Sequence, residues 1–84
     1  MNPMYPAVLK VIPKENYHIE IYYENGEVKL FDVNPYIQGD WYGQLKDYPY
    51  FCSVHPHPIT KDTIQWAGGQ DIAAHELYEH SKLI

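Results

Sequence analysis

Alternation of apolar and polar positions dominates the first half of this chain. Tyr17, Ile19, Ile21 and Tyr23 fall on one face of a two-residue repeat, and His18, Glu20 and Tyr22 fall on the other. That period is the mark of a half-buried strand. Asn25-Gly26 follows, and then a second alternating run from Glu27 to Val33. Asn-Gly between two such runs predicts a hairpin closed by a two-residue turn, because both central positions then need φ > 0. A two-residue loop pairs Tyr23 with Val28 and Ile21 with Leu30 on the core face. It pairs Tyr22 with Lys29 and Glu20 with Phe31 on the other. It also sets Glu24 opposite Glu27, a like-charge pair that costs a few tenths of a kcal/mol.

Before the hairpin, the apolar run Ala7 to Ile12 predicts a first strand stopped by Pro13, with residues 13–16 as a turn. Residues 1–6, with two Pro, predict an irregular lead-in. After the hairpin, Asn34-Pro35 has the form of a helix start, and Asp40 is placed to cap a second short turn over 41–46. Pieces this short need packing to hold them, supplied by Tyr36, Ile37, Trp41 and Leu45. Tyr50 to His55 and Asp62 to Trp66 predict two further strands, and Ala73 to His80 a closing helix of about two turns. The sum is a small two-layer α+β domain spanning 1–84, an antiparallel meander extended to a mixed five-strand sheet with short helices on it. The expected core is Val8, Val11, Ile19, Ile21, Leu30, Ile37, Leu45, Phe51, Val54, Ile64, Trp66 and Leu77.

Composition sharpens this picture in two ways. A chain of 84 residues has little core, and nine Tyr, two Trp and two Phe enlarge it. The basic residues number six, all of them Lys and all scattered singly, against 11 acidic ones, for a net charge of -5. Nucleic-acid binding draws on clustered cations, so this domain is not expected to bind DNA or RNA. No apolar run is long enough to span a bilayer, and the start carries no basic-then-apolar signal pattern. A cytoplasmic location is expected, and the single Cys52 has no partner in the chain for a disulfide.

Four patterns invite a chemical reading. His75-Glu76-Leu77-Tyr78-Glu79-His80 resembles a zinc-protease helix, but its two His are five apart rather than four. On a helix the second ring then points about 140° from the first, so these residues read as surface pairs. His55-Pro56-His57 is the better metal candidate, because residues two apart on an extended segment face the same way. It lacks an evident third ligand, since a strand would turn Cys52 to the opposite side. Cys52 lies in an apolar run and reads as a buried structural residue rather than a nucleophile. The corner Trp66-Ala67-Gly68-Gly69-Gln70-Asp71 has two accounts. Either Gly supplies φ > 0 and Trp66 and Asp71 hold the turn together, or Trp66 is exposed and Asp71 anchors a partner.

These segments resemble, in order, the bacterial domain-of-unknown-function family numbered 2442. Tyr17 to Gly26 resembles its strand and "F-x-D/N-G" turn, with Tyr23 in the aromatic place. Phe31-Asp32-Val33-Asn34-Pro35-Tyr36-Ile37 is similar to its "F-D-L-x-P-Y-L". Leu45-Lys46-Asp47 with Phe51 to Val54 is similar to "L-x-D…F-x-x-V". Ile64 to Ile72 is similar to "I-x-W-P-N-G-x-D-L", and Leu77-Tyr78-Glu79 to "L-Y-E". Ala67-Gly68 replaces the family's Pro-Asn, and the Pro common before the last helix is absent. The resemblance implies the fold called NE-type N-terminal-domain-like and no established activity. It also implies company: members stand alone, ahead of a helix-turn-helix, or beside another short protein in toxin–antitoxin-like pairs.

The expectation is therefore a non-enzymatic interaction or regulatory module, antitoxin-like, without cofactor. Its partner would be another protein, such as an adjacent gene's product, or a second copy in a homodimer. The alternative is a small metal-dependent or acid–base enzyme built on His55, His57 and Asp71.

Overall fold

A computed structural model describes residues 5–84. The irregular lead-in expected over 1–6 therefore lies outside the described residues except for Tyr5 and Pro6. The α+β class holds. Strands β1 (Val8–Lys14), β2 (His18–Tyr23), β3 (Val28–Asp32) and β6 (Lys82–Leu83) form an antiparallel sheet in the order β1-β2-β3-β6. Strands β4 (His55–Pro56) and β5 (Ile64–Gln65) form a separate two-stranded ribbon. Helices α1 (Gly39–Tyr42), α2 (Tyr48–Phe51) and α3 (Ala74–His80), with 3₁₀ turns at Glu15–Tyr17, Asn34–Tyr36 and Gly43–Lys46, complete the chain. The fourth strand of the main sheet is thus supplied by the C-terminal residues, and the ribbon stands apart from it.

The central hairpin forms one residue away from the expected register. Its pairs are Tyr22 with Val28, Ile21 with Lys29, Glu20 with Leu30 and Ile19 with Phe31. The Tyr23 amide donates to the Glu27 carbonyl at 2.9 Å and the Gly26 amide to the Tyr23 carbonyl at 3.0 Å, with only Gly26 at positive φ, 91°. This is a three-residue loop closed by a glycine bulge, not a two-residue turn. Because side chains alternate, the slip turns β3 over. Phe31 enters the core, where it is 1% exposed, and Leu30 turns to the other face. Glu24 and Glu27 are no longer opposed: Glu24 accepts from the Ala7 amide, and Glu27 from Asn25 and the Tyr78 hydroxyl.

The slip also places Lys29 among the core-facing residues. Its ammonium donates to the Tyr78 carbonyl at 2.7 Å and lies 3.6 Å from the centroid of the Tyr78 ring. A cation at the last carbonyls of α3 and over an aromatic face is held by both the helix dipole and the ring quadrupole. It fastens α3 to the sheet beneath it.

β1 runs through Pro13 to Lys14 instead of stopping before the proline. At an edge the missing N–H faces no partner strand, so the sheet tolerates it. The turn that follows holds Asn16 and Tyr17 in the left-handed region, at φ 58° and 57°. Asn adopts that conformation readily and Tyr does not. Tyr17 is held there by its ring against Phe51 at 5.2 Å and by its hydroxyl on the Lys46 carbonyl.

The segment 50–55 is not a strand. Tyr48–Phe51 is a helical turn with proline in its first turn, and only His55–Pro56 is extended. Cys52 closes that turn and is exposed, so it is not the buried structural residue expected. The core lies between the inner sheet face and the helices. It contains ten of the expected residues together with Tyr23, Phe31, Val33 and Ile72; Val11 is only partly buried against it. Phe51, Trp66, Leu45, Ile64 and Leu77 are wholly buried there.

Candidate functional site

Trp66 sits at the start of the corner that follows β5, and the corner is closed by backbone bonds. The Trp66 amide donates to the Gln70 carbonyl at 2.8 Å, and Gly69, at φ +104°, donates to the Trp66 carbonyl at 2.9 Å. Gln65 and Asp71 then bridge across it. The Trp66 ring is fully buried, and its indole N–H donates to the Phe51 carbonyl at 2.9 Å. Trp66 therefore presents no surface to a partner, and the exposed-Trp account of this corner is corrected.

The residue that organises the corner is Gln70, which the sequence reading did not single out. It is wholly buried. Its amide nitrogen donates to the Trp41 carbonyl at 3.0 Å, and its oxygen accepts from the Tyr50 hydroxyl at 2.7 Å. Tyr50 in turn accepts from the Gly68 amide at 2.7 Å, and Ser53 Oγ accepts from the Ala67 amide at 3.1 Å. Buried polar groups in native proteins are paired in this way, and such a network specifies one arrangement of its loops. An uncharged polar residue between Gly-Gly and Asp carries no periodic signal, which is why it escapes a reading by pattern.

Asp71 does not bind the turn amides. Its carboxylate is half exposed and lies 3.5 Å from His57 Nε2, while its carbonyl accepts from the Tyr42 hydroxyl at 2.8 Å. His57 Nδ1 lies 3.2 Å from the Ile59 amide and 3.3 Å from the Thr60 amide. An amide can only donate, so Nδ1 is the acceptor and the ring proton sits on Nε2, toward Asp71. His55 Nδ1 lies 2.9 Å from the Ser53 carbonyl, which can only accept, and Nε2 lies 3.1 Å from Oε1 of Gln65. Each ring nitrogen thus faces a group of the surrounding loops. His57 and Asp71 do meet; His55 is tied to Ser53 and Gln65. Among the described residues, no three His, Cys, Asp or Glu side chains come together as a metal-ligand set. In α3, His75 and His80 do not share a face, and His80 faces Glu76 at 3.6 Å.

The outer face of the main sheet is open. Side chains alternate, so the register assigns it three cross-strand rows. Lys14, His18 and Asp32 form one, Ile12, Glu20, Leu30 and Lys82 the next, and Lys10, Tyr22 and Val28 the third. Ile84 continues that third row through its amide bond to the Val28 carbonyl at 3.0 Å. The buried residues of the helices lie in the core on the opposite side. A shallow cavity of about 390 Å³ opens on this face over Leu30 and Ile84, walled by Lys14, Glu15, His18 and Glu20. A second, of about 250 Å³, adjoins it at His18, Asp32, His80 and Lys82.

The carboxylates of this face are already engaged. Glu20 accepts from the Tyr22 hydroxyl at 2.9 Å. Burial works to raise the Asp32 carboxyl, but the bonds it accepts from the Asn34 side chain and amide outweigh that and hold it below its ordinary range. The lysines are not so engaged. Among the described residues, Lys10, Lys14 and Lys82 make no ion pair within 4 Å, and Lys10 only overlies the Tyr22 ring at 4.5 Å.

Among the described residues, no helix is long and apolar enough to cross a membrane. No curated protein and no solved structure matches the chain. The family described as "Protein of unknown function (DUF2442)" matches over residues 8–82, from the first strand through the hairpin and the Trp66 corner to β6, and the chain belongs to that family.

Proposed function

We propose that this chain is a non-enzymatic, cytoplasmic protein-interaction module, the antitoxin-like member of a two-protein system, and that it meets its partner on the outer face of the main sheet. The observation that carries this is the uncovered face itself. A two-layer fold buries one side of its sheet against helices, and a soluble sheet tolerates a polar second side. Here that side holds Leu30, Val28, Ile12 and Ile84, with Glu20 between Ile12 and Leu30, and an open cavity of about 390 Å³ lies over Leu30 and Ile84. Exposed apolar side chains grouped among polar ones are a common feature of protein-binding patches.

The acid–base alternative draws on the meeting of His57 and Asp71, 3.5 Å apart. A general base needs a lone pair facing a substrate. The Nδ1 lone pair of His57 is directed at two backbone amides, and its Nε2–H faces Asp71, so the pair supports a loop-bracing role better.

The test is affinity capture between the purified chain and the product of the adjacent gene. A complex at micromolar concentration that is lost on Leu30→Glu supports the proposal. Absence of any complex, or one indifferent to Leu30→Glu, refutes it.

A further inference from the structure

We propose that Asn25-Gly26 is a latent deamidation site, shut while the loop between β2 and β3 is closed, and that its conversion loosens the tie between this loop and α3. The chain has four Asn, and only Asn25 is followed by glycine. Asn2 and Asn34 precede proline, whose nitrogen carries no proton to lose, and Asn16 precedes the bulky Tyr17. Glycine brings no side chain to crowd its own nitrogen, and residues 24–26 are exposed to water. Water is the only co-reactant. The Gly26 amide gives up its proton to solvent, and its nitrogen bonds to Asn25 Cγ. The Cγ–Nδ2 bond breaks, and Nδ2 takes up a proton and leaves as ammonia. Water then opens the five-membered imide, giving an aspartate or, through the other carbonyl, an isoaspartate. No atom is oxidised or reduced.

The closed loop holds both reacting groups. The Gly26 amide donates to the Tyr23 carbonyl at 3.0 Å, so the proton that must leave first is engaged. Asn25 Oδ1 accepts from the Glu27 amide at 3.0 Å, and Nδ2 donates to Glu27 Oε1 at 2.9 Å. Attack therefore waits on local opening of the loop. The consequence of conversion runs through Glu27. Its Oε1 also accepts from the Tyr78 hydroxyl of α3. Tyr78 first, and then Asn25, hold the Glu27 carboxyl below its ordinary range. Conversion replaces the Nδ2 donor with a carboxylate oxygen facing Glu27. Repulsion drives the Glu27 carboxylate off the position that Asn25 fixed, which is where the Tyr78 hydroxyl meets it. The isoaspartate also adds one backbone atom to a loop whose length fixes the register of β3.

The test incubates the full chain beside a free peptide of residues 21–30 at pH 8 and 37 °C. Mass spectrometry follows the gain of about one dalton at Asn25, and enzymatic methylation counts the isoaspartate. The folded chain should react roughly tenfold or more slowly than the peptide, because the reaction needs the loop open. Its slowing should match, within about threefold, the hydrogen-exchange protection of the Gly26 amide, which depends on the same opening. Asn25→Asp copies one product and should lower Tm by several degrees. At least about half of that loss should vanish in a Tyr78→Phe background, since the two sites share Glu27. A folded chain that reacts as fast as the peptide, or slowing unrelated to Gly26 exchange, overturns the latent site. An Asn25→Asp chain as stable as wild type, or one whose loss is undiminished by Tyr78→Phe, overturns the tie to α3.

Discussion

Tyr23 should be more stable as phenylalanine. Its ring is 2% exposed on the inner sheet face, packed edge-on to Tyr78 with centroids 5.1 Å apart. Its hydroxyl is buried and has no hydrogen-bond partner among the described residues. A hydroxyl buried without a partner costs about 1–3 kcal/mol. Removing it leaves a void of roughly 15–20 Å³, which costs about 0.4 kcal/mol. Tyr23→Phe should therefore gain about 1 kcal/mol, or 4–8 °C in Tm for a domain of this size. The control is Tyr78→Phe, whose hydroxyl donates to the Glu27 carboxylate and whose loss should lower Tm.

The same substitution has an alkaline signature. Burial first, and then the nearby charges of Tyr78, Glu27 and Asp62, push the Tyr23 phenol far above its ordinary value near 10. Below pH 10 the phenol is protonated in both folded and unfolded chains, and its contribution is fully present. Above pH 10 the unfolded chain ionises and the folded one does not, so stability is lost as pH rises toward the folded value. The loss is up to about 1.4 kcal/mol per pH unit, or about 1 kcal/mol between pH 10 and 11. Urea titrations at pH 8, 10 and 11 should show the wild type losing about 1 kcal/mol more over that last step than Tyr23→Phe. A Tyr23→Phe chain that melts below wild type at pH 8, with an alkaline limb as steep, would refute the reasoning and show that the hydroxyl is bonded.

Gly68→Ala should cost about 1–3 kcal/mol, because an added Cβ would stand 2.2 Å from the Tyr50 hydroxyl that Gly68 and Gln70 share; thermal melting checks it. Trp66→Phe removes the bond to the Phe51 carbonyl and part of a buried ring, for a loss of about 2 kcal/mol in urea unfolding. His57→Ala should speed hydrogen exchange at the Ile59 and Thr60 amides roughly tenfold. His57→Asn should restore most of their protection, since an Asn side-chain oxygen accepts from amides two and three residues on.

The alternating run was legible from His18 to Tyr23, because Ile19, Ile21 and Tyr23 repeat and all three are buried, while Tyr17 belongs to the turn before the strand. β3 was not, because Val28 and Leu30 on one parity compete with Phe31 and Val33 on the other. What decides between them lies far along the chain: Lys29 is tolerated inside only because Tyr78, 49 positions away, receives its ammonium. Tyr50-Phe51-Cys52 has the composition of a strand, yet Pro49 occupies the first turn of the helical segment Tyr48–Phe51. β6 is too short to show a period. At the corner, the sequence located the Trp-Gly-Gly turn correctly but could not tell which of its residues turned inward. Trp66 is buried, Asp71 faces His57, and the network around Gln70 is assembled from three separated segments, Trp41, 50–53 and 67–70.

The glycine bulge at Gly26 acts as a parity gate. Whether the loop between β2 and β3 holds two residues or three decides whether odd- or even-numbered side chains of β3 point outward. With three, Leu30 and Val28 face solvent and Lys29 is enclosed. A two-residue turn over Asn25-Gly26 in the same chain, with Glu24 opposite Glu27, would exchange the two sets at a stroke, enclosing Leu30 and displaying Lys29 and Phe31. One residue of loop length, remote from every side chain that would touch a partner, thus sets the chemical character of the whole exposed sheet.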